Sequence, residues 1–233
     1  MNKNFLCIIP ARSGSKGIKN KNTVKVKNKP LIQFTIDTAK KLQDYCDIIV
    51  STDSKKIKKI CLKNKLNFYG FRPKKISGDK ALTKDVVYYE LKKIEKKLKK
   101  KFFGILLLQP TSPIRDHEKI IKGMKILLTK KYNSVLSISD VGGNHPFRMK
   151  IIRNNFCYNF MDFKYENMDP RQKLPKIYIR SGSFYIINRN YFFQKKTLVG
   201  DKCYGYELKG AETINIDSIE DLENFKLINN KKK

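Results

Sequence analysis

The amino-acid sequence predicts an α/β fold in which a mostly parallel sheet has helices on both faces. Short apolar runs alternate with amphipathic segments through the first half of the chain, which is the pattern of strand–helix–strand units. These runs are apolar at almost every position, as expected for strands that are buried on both faces. The alternation stops after Asp140, so we expect a small β-rich lobe to be inserted there.

The predicted strands are short apolar runs bounded by turns. Residues 5–10 form the first of them and end in a turn at Pro10. Further strands are predicted at residues 47–51, 66–71, 103–109, 134–139 and 182–188. The run at 103–109 has the clearest strand pattern in the chain.

The predicted helices carry apolar residues at helical spacing. Pro30 begins the first one, because proline fits the first turn of a helix. Ile57, Ile60 and Cys61 mark the second. The remaining helices are predicted at residues 83–100, 116–130 and 217–230.

The domain organisation is a single domain over residues 1–230 with one insertion. Residues 141–180 hold Gly142, Gly143, prolines and aromatics, with little periodicity. We interpret this segment as the inserted lobe. The lysines at 231–233 are expected to form a disordered tail.

The chain is strongly basic, with 51 Lys and Arg against 21 Asp and Glu and a formal net charge of +30. Most of this charge is lysine, spread along the chain rather than gathered in a stripe. Arginine is the residue that recognises phosphate in a bidentate fashion, whereas dispersed lysines mainly solvate a surface. We therefore expect no nucleic-acid partner, and a basic DNA- or RNA-binding protein is kept as an alternative.

Compartment and membrane association follow from the apolar and cysteine content. There is no run of about 18 apolar residues, so no membrane span is expected. The N-terminal segment is too short for a signal-peptide core. The five cysteines are dispersed, with no metal-binding spacing. Together these features predict a cytoplasmic protein with reduced, mostly buried thiols.

A candidate site follows the first predicted strand, in the loop at residues 9–22. Ligands of open α/β sheets bind at the carboxyl ends of the strands. The loop presents backbone N–H groups at two glycines and two serines, which together with positive charge can cradle a triphosphate. The positive charges are Arg12, Lys16 and Lys21. The sequence fits neither the dinucleotide nor the P-loop motif.

Several motifs in order along the chain support a specific family. They are I-P-A-R-S-G-S-K-G at 9–17, S-T-D-S at 51–54, R-P at 72–73 with G-D-K-A at 78–81, L-Q-P-T-S-P-I-R at 108–115, R-Q-x-L-P at 171–175 and I-D-S-x-E-D-L at 216–222. This series resembles the acylneuraminate cytidylyltransferases and covers residues 5 to about 228. Each motif is weak alone, but six in the correct order are specific.

The resemblance implies a Rossmann-like nucleotidyltransferase sheet and the transfer of CMP from CTP to a nine-carbon sialic-acid-type sugar, with release of pyrophosphate. It also implies Mg²⁺ as cofactor, a homodimer formed through the lobe, and a place in lipopolysaccharide or capsule biosynthesis. The residues it makes catalytic are Arg12, Lys16, Lys21 and Asp217. Those it places at the nucleotide are Ala11, Arg12, Ser13, Gly14, Ser15, Asn22, Arg72, Asp79 and Ala81. Those it places at the sugar are Gln109, Arg148, Arg171 and Arg180.

The candidate metal ligands are Asn215 and Asp217. Magnesium prefers carboxylate oxygens and keeps several waters. Two residues apart in an extended segment share a face, so both side chains should point into the site. The family often has aspartate at both positions, and Asn215 is a weaker ligand. Alternatively, Asp217 is a helix N-cap, because Asp-Ser-Ile-Glu resembles a capping box.

Other functions remain open. An eight-carbon sugar acid cytidylyltransferase is the nearest one, although such relatives usually carry Ser-x-Arg-Leu-Pro-Gly-Lys where this chain has Ser15-Lys16-Gly17-Ile18-Lys19. A sugar-nucleotide-binding protein without catalysis is another. No general base is evident, since a histidine before proline, such as His145, is more often structural.

Overall fold

The structure is a computed structural model that describes residues 4–15, 17–161 and 170–231. The strands are β1 Phe5–Pro10, β2 Lys25–Val26, β3 Lys29–Pro30, β4 Cys46–Ser51, β5 Gly104–Leu107, β6 Ser134–Asp140, β7 Lys150–Arg153, β8 Phe156–Asn159, β9 Tyr178–Asn188 and β10 Cys203–Glu207. The helices are α1 Leu31–Lys40, α2 Lys55–Lys63, α3 Thr83–Leu98, α4 His117–Leu128, α5 Arg189–Lys195 and α6 Ile219–Lys231.

The central sheet has six strands in the order β10-β6-β9-β5-β1-β4. Strand β1 lies between β4 and β5 and pairs with both in parallel. Strand β9 runs antiparallel to β5 and to β6, and β10 is parallel to β6. Five strands therefore run one way and one runs the other, which confirms the predicted mostly parallel sheet.

Helices cover both faces of this sheet, as predicted. Alternate residues of a strand point to opposite faces, and β1 shows this clearly. Cys7 lies in a buried cluster with residues of α1 and α4, whereas Ile8 lies in a second cluster with residues of α3 and α5. A third cluster joins α6, through Phe225, to the segment after β1. The continuous apolar run of β1 is thus explained by burial on both faces.

One predicted strand, residues 66–71, is wrong. The segment forms no helix or strand and pairs with no strand among the described residues. Its aromatic rings pack elsewhere: Phe68 and Phe71 contact each other edge to face, and Lys58 of α2 lies over both. Those side chains made the segment resemble a buried strand.

The second half holds two elements that the sequence did not indicate, α5 and β10. The lobe contains an antiparallel hairpin of β7 and β8 within residues 141–161, and its residues 162–169 lie outside the described part of the chain. Helix α6 ends at Lys231, so the first residue of the expected disordered tail is helical. Among the described residues, no helix is long and apolar enough to span a membrane.

Candidate active site

Two adjoining clefts lie at the carboxyl end of the parallel strands. We call the first the loop cleft: it has a volume of about 280 Å³, and residues after β1, residues 72–83 and residues 109–111 line it. The second, the bulge cleft, measures about 480 Å³ and lies between the end of β5 and β9. The two share Thr83, Gln109 and Thr111. This is the edge of an open α/β sheet where ligands bind.

The loop cleft collects most of the predicted nucleotide residues. Those that line it are Arg12, Gly14, Ser15, Asn22, Arg72, Asp79 and Ala81. Lys21, predicted as catalytic, and Gln109, predicted at the sugar, line it as well. Ala11 is fully buried beneath the loop, where its N–H donates to Ser51 O at 2.9 Å. Lys16 lies outside the described residues, so its predicted role stays a prediction.

The loop after β1 is anchored by hydrogen bonds to Asp53, which follows β4. The carboxylate of Asp53 accepts two hydrogen bonds from Ser13, one from the backbone N–H and one from the hydroxyl, both at 2.7 Å. Asn22 Nδ2 donates to Arg12 O at 3.0 Å. Ser13, which was predicted to contact the nucleotide, therefore binds Asp53 and does not line the cleft. Gly14 and Ser15, which follow Ser13, both line the cleft.

Gly17 is fixed at the other end of the loop by close packing. A Cβ on this glycine would lie 2.5 Å from the carbonyl oxygen of Asp217. No other residue type fits there without displacing backbone. The loop and the Asp217 segment are thus packed against each other, which places Lys21 beside Asp217.

Arg12 and Asp79 form an ion pair across the loop cleft. Arg12 Nη1 lies 2.6 Å from Asp79 Oδ1, and both side chains are partly exposed. Asp79 belongs to the turn before α3, so this pair joins the two sides of the cleft. Exposed ion pairs contribute little to stability, about 0–1 kcal/mol. A bound phosphate can therefore replace Asp79 as the partner of Arg12 at little cost.

Arg72 has a donor with no partner among the described residues. It is 5% exposed, and its Nη2 forms no hydrogen bond within the described chain. Nε donates to Ser77 Oγ at 3.3 Å. Burial lowers the pKa of Arg72, while the charges of Asp53 and Glu90 oppose that shift. An unmet buried donor is costly. Arg72 lines the loop cleft, but Nη2 itself is shielded from solvent, so a ligand acceptor would reach it after a shift of the guanidinium.

Lys21, Asn215 and Asp217 meet at the junction of the two clefts. Lys21 Nζ donates to Asp217 Oδ1 at 3.0 Å and to Ile216 O at 2.9 Å. Asn215 Nδ2 donates to Asp217 Oδ2. The two side chains therefore point together as expected, although the segment is extended rather than a strand.

The N-cap explanation for Asp217 is wrong. Ser218 and Asp221 form the capping box of α6: Asp221 N donates to Ser218 Oγ at 3.1 Å, and Ser218 N donates to Asp221 Oδ2 at 2.8 Å. These hydrogen bonds hold the pKa of Asp221 below its usual range. Because the cap is made without it, the carboxylate of Asp217 faces the cleft, and 66% of its side chain is exposed.

Asp217 and Asn215 are the side chains that could hold a magnesium ion at this junction. No cluster of three or more His, Cys, Asp or Glu side chains suited to a metal occurs within the described ranges. One carboxylate and one neighbouring amide oxygen fit an ion that takes its other ligands from phosphates and water. Asn215 must turn its oxygen, rather than its nitrogen, towards such an ion.

The predicted sugar residues separate into two groups. Gln109 and Arg180 line the bulge cleft. Arg148 and Arg171 line neither cleft; Arg148 lies in a short turn before β7, and Arg171 pairs with Asp140 at 3.2 Å. His145 is 4% exposed, and its Nε2 lies 3.0 Å from Pro175 O. This agrees with a structural histidine.

The larger cleft of the molecule, about 640 Å³, lies at the opposite end of the sheet. It is lined mainly by lysines, amides and aromatic residues before β5 and β6 and after β9. None of the predicted site residues lies there. Parallel strands begin at that end, so it lacks the backbone arrangement that binds phosphates.

Sequence reasoning missed the residues that hold the site together. Three residues that were not predicted support the site. Asp53 accepts from Ser13, Glu90 partly balances the charge of Arg72, and Arg115 donates to Gln109 O. Asp53 could have been found from the sequence, because it lies two residues after a predicted strand, where site residues are expected. Glu90 had none: a glutamate in a helical segment resembles a surface residue, yet it is buried and accepts from Ser51 Oγ at 2.8 Å.

A mostly parallel sheet whose first strand ends in a basic, glycine-containing loop that lines a cleft is typical of nucleotide-binding α/β proteins. Among such proteins the chain belongs to the cytidylyltransferase family, whose sequence profile matches residues 6–233. This confirms the family inferred from the motifs.

Individual relatives agree with this assignment. The chain is 31% identical to an N-acylneuraminate cytidylyltransferase of Escherichia coli O18:K1:H7, over 96% of this chain and 51% of the relative. It is 32% identical to a CMP-N,N'-diacetyllegionaminic acid synthase of Legionella pneumophila, over 92% of this chain and 91% of the relative. The chain spans about half the length of the first curated relatives that it matches.

A solved structure of CMP:2-keto-3-deoxy-manno-octonic acid synthetase complexed with CTP has the same fold. The TM-score is 0.66 at 14% identity, over 98% of this chain and 99% of the other. This similarity confirms the predicted Rossmann-like nucleotidyltransferase fold, whereas it does not test the dimerisation lobe.

Proposed function

We propose that this chain transfers CMP from CTP to the anomeric hydroxyl of a nine-carbon sialic-acid-type sugar and releases pyrophosphate. N-acetylneuraminate, legionaminate and pseudaminate are the candidate acceptors. The observation that carries the proposal is the pair of adjoining clefts. One is lined by a basic loop and by Arg72, whose Nη2 has no partner within the described part of the chain, and the other by Gln109 and Arg180. Membership of the cytidylyltransferase family supports it.

The triphosphate binds along the loop after β1. Backbone amides of Gly14 and Ser15 and the cations Arg12 and Lys21 surround it. Arg12 exchanges Asp79 for a phosphate oxygen. Lys21 lies beside Asp217 and offsets the charge that develops on the pyrophosphate leaving group. Lys16 is proposed to act alongside it.

The cytosine and ribose bind in the part of the loop cleft lined by Arg72, Asp79 and Ala81. Arg72 Nη2 is a buried donor that needs an acceptor, and the O2 and N3 atoms of cytosine are acceptors. A uracil presents an N3–H donor instead, so a cation at N3 disfavours it. Arg72 thereby favours CTP over UTP.

Magnesium is the proposed cofactor, held by Asp217 with Asn215. When bound, it supplies positive charge to the phosphates. The acceptor's anomeric oxygen attacks the α-phosphorus in line, oriented by Gln109 and by a cationic contact from Arg180 to its carboxylate.

A homodimer explains the position of the remaining arginines. Arg148 and Arg171 line neither cleft of their own chain, so they are proposed to reach a partner's bulge cleft. The β7–β8 hairpin supports this, because Ile152 and Phe156 are 74% and 67% exposed. Single exposed apolar residues are ordinary, but several on one small hairpin are typical of an interaction surface. The enzyme is proposed to act in the cytoplasm, without a nucleic-acid or membrane partner, in lipopolysaccharide or capsule biosynthesis.

Pyrophosphate release tests the activity. Each of CTP, UTP, GTP and ATP is supplied with Mg²⁺ and a panel of nine-carbon and eight-carbon sugar acids. We expect release with CTP and a nine-carbon acid, and loss of it when EDTA removes the metal. Preference for an eight-carbon acid would support the nearest alternative. CTP binding without release from any acid would support a non-catalytic protein.

The dimer is tested by sedimentation together with alkylation of Cys157. This thiol lies on the hairpin and is exposed in the single chain. A dimer formed through the hairpin should protect Cys157 increasingly as protein concentration rises. A monomer at all concentrations, or a dimer with unprotected Cys157, would contradict the proposed interface.

A further inference from the structure

Strand β9 bulges where it passes the active site. Leu136 of β6 pairs with Tyr185, but Ile138, two residues on, pairs with Arg180. Ser137 therefore faces four residues, 181–184, which we call the β9 bulge. Bulges redirect a strand and are frequent beside active sites.

The apex of the β9 bulge is Gly182, at φ +76°. A Cβ there would lie 3.3 Å from Gln109 Oε1 and 3.8 Å from Asn215 Oδ1. The positive φ favours glycine, and the 3.3 Å approach to Gln109 is tighter than an ordinary contact. The bulge thus forms the wall of the bulge cleft that faces Gln109.

Ser137 holds the β9 bulge from the β6 side. Its hydroxyl accepts from Phe184 N at 2.9 Å and from Ser181 Oγ at 2.8 Å, and it donates to Phe184 O at 3.0 Å. A serine hydroxyl has one proton and two lone pairs, and all three are used. The side chain replaces ladder hydrogen bonds that the bulge removes.

Arg115 holds the β9 bulge from the β5 side. Nε donates to Ser183 O at 2.7 Å, Nη1 donates to Thr35 Oγ1 at 3.0 Å, and Nη2 donates to Gln109 O. One planar fork thus joins the bulge, the turn that carries Gln109, and helix α1. Burial lowers the pKa of Arg115 to about 9, so the cation persists at neutral pH.

These acceptors are neutral oxygens, although burial of a cation is costly without a paired carboxylate. The fork does, however, bind three separate segments and so sets their relative positions. We propose that Arg115 and Ser137 are positioning residues that fix the distance between Gln109 and the β9 bulge, and so the fit of the sugar acid. This inference rests on the proposed function. Neither residue lines the loop cleft, and Ser181 and Gly182 of the β9 bulge line only the bulge cleft, so CTP binding should depend on Arg115 and Ser137 much less than sugar binding does.

Arg115→Lys is the informative substitution, because lysine keeps the charge but has no fork to span three acceptors. We expect the KM for the sugar acid to rise at least about ten-fold, equivalent to about 1.4 kcal/mol, while the KM for CTP changes less than about two-fold. Ser137→Ala should shift the two constants in the same way but less.

Arg189→Lys is the matched control. Arg189 also uses a fork, donating through Nε and Nη2 to Glu95 at 2.8 and 2.9 Å, at the opposite end of the sheet. Its substitution should leave both KM values unchanged. A rise in the sugar KM of Arg189→Lys would show that losing any buried guanidinium weakens sugar binding, and would overturn the inference.

Amide hydrogen exchange provides a readout that needs no activity. Residues 181–184 should exchange at least ten-fold faster in Arg115→Lys and Ser137→Ala, whereas β1 residues should not. Unchanged exchange at 181–184, or equal rises in both KM values, would overturn the inference. A wild-type enzyme silent with every sugar acid would refute the proposed function, and exchange would still decide whether these residues hold the bulge. If Arg115→Lys fails to fold, Ser137→Ala supplies both readouts.

Discussion

Replacing Gly17 by alanine tests how closely the loop after β1 is packed against Asp217. The new Cβ would lie 2.5 Å from Asp217 O, a backbone atom. To reach an ordinary contact of about 3.4 Å, one segment must move by about 0.9 Å. If nothing moves, overpacking costs about 1–3 kcal/mol. For a chain of this size, each kcal/mol lowers Tm by about 2–4 °C.

Either response is measurable. Retained strain lowers Tm in a calorimetric scan. Relief by movement instead separates Lys21 from Asp217, and displacements of about 1 Å near a reacting centre cost up to about 100-fold in rate. The assay therefore records Tm and kcat/KM for CTP together.

Gly143→Ala is the control for the Gly17→Ala experiment. A Cβ at Gly143 meets nothing within 4 Å, and its φ lies outside the left-handed region. It should leave Tm and kcat/KM within error. If Gly17→Ala also leaves both unchanged, the packing of the loop against Asp217 is refuted.

Four further results are expected. Arg72→Met should raise the KM for CTP about ten-fold or more and reduce the preference for CTP over UTP, because a charged hydrogen bond contributes about 1.5–3 kcal/mol; an unchanged CTP-to-UTP ratio of kcat/KM would contradict this. Asp217→Ala should reduce kcat at least about 100-fold and remove the dependence on Mg²⁺ concentration, and retained magnesium-dependent turnover would exclude the proposed ligand. Asp221→Ala should lower Tm at pH 7 by a few degrees, since a lost cap costs about 1 kcal/mol. Because the folded pKa of Asp221 is depressed, that difference should be full above about pH 5 and shrink as pH falls through the folded pKa; a difference that stays constant across this range would contradict the assignment. In native protein at low concentration Cys157 should react first with a thiol reagent, while Cys7 and Cys61, whose pKa values burial raises to about 12 and 11, should stay unreactive until unfolding.

The layers of the fold were predictable because burial leaves a periodic trace. β1 is apolar at successive positions, because both of its faces are buried. Helices α1, α3 and α4 repeat their apolar residues every three or four positions. The false strand at 66–71 shows the limit of this trace. A segment whose aromatic rings pack against a lysine outside the sheet has the same kind of residues as a buried strand. Whether it pairs with another strand depends on residues far away in the sequence, so local composition cannot decide it.

In the candidate site, the sequence predicted residues that line the clefts but not the residues that hold them in place. The basic loop and Asp217 precede or follow regular elements, so their place at the sheet edge follows from topology. The supporting contacts could not be predicted, because they join distant positions. Arg115 reaches Ser183 and Thr35, which are 68 and 80 positions away, and no local pattern indicates such pairs.

The most direct test of the central claim follows the anomeric oxygen. A nine-carbon sugar acid labelled with ¹⁸O at its anomeric hydroxyl is incubated with CTP and Mg²⁺, and products are examined by mass spectrometry before the label exchanges with water. Attack of that oxygen on the α-phosphorus predicts a CMP-sugar that retains ¹⁸O, together with unlabelled pyrophosphate. A CMP-sugar without the label, or label in the pyrophosphate, would contradict the account.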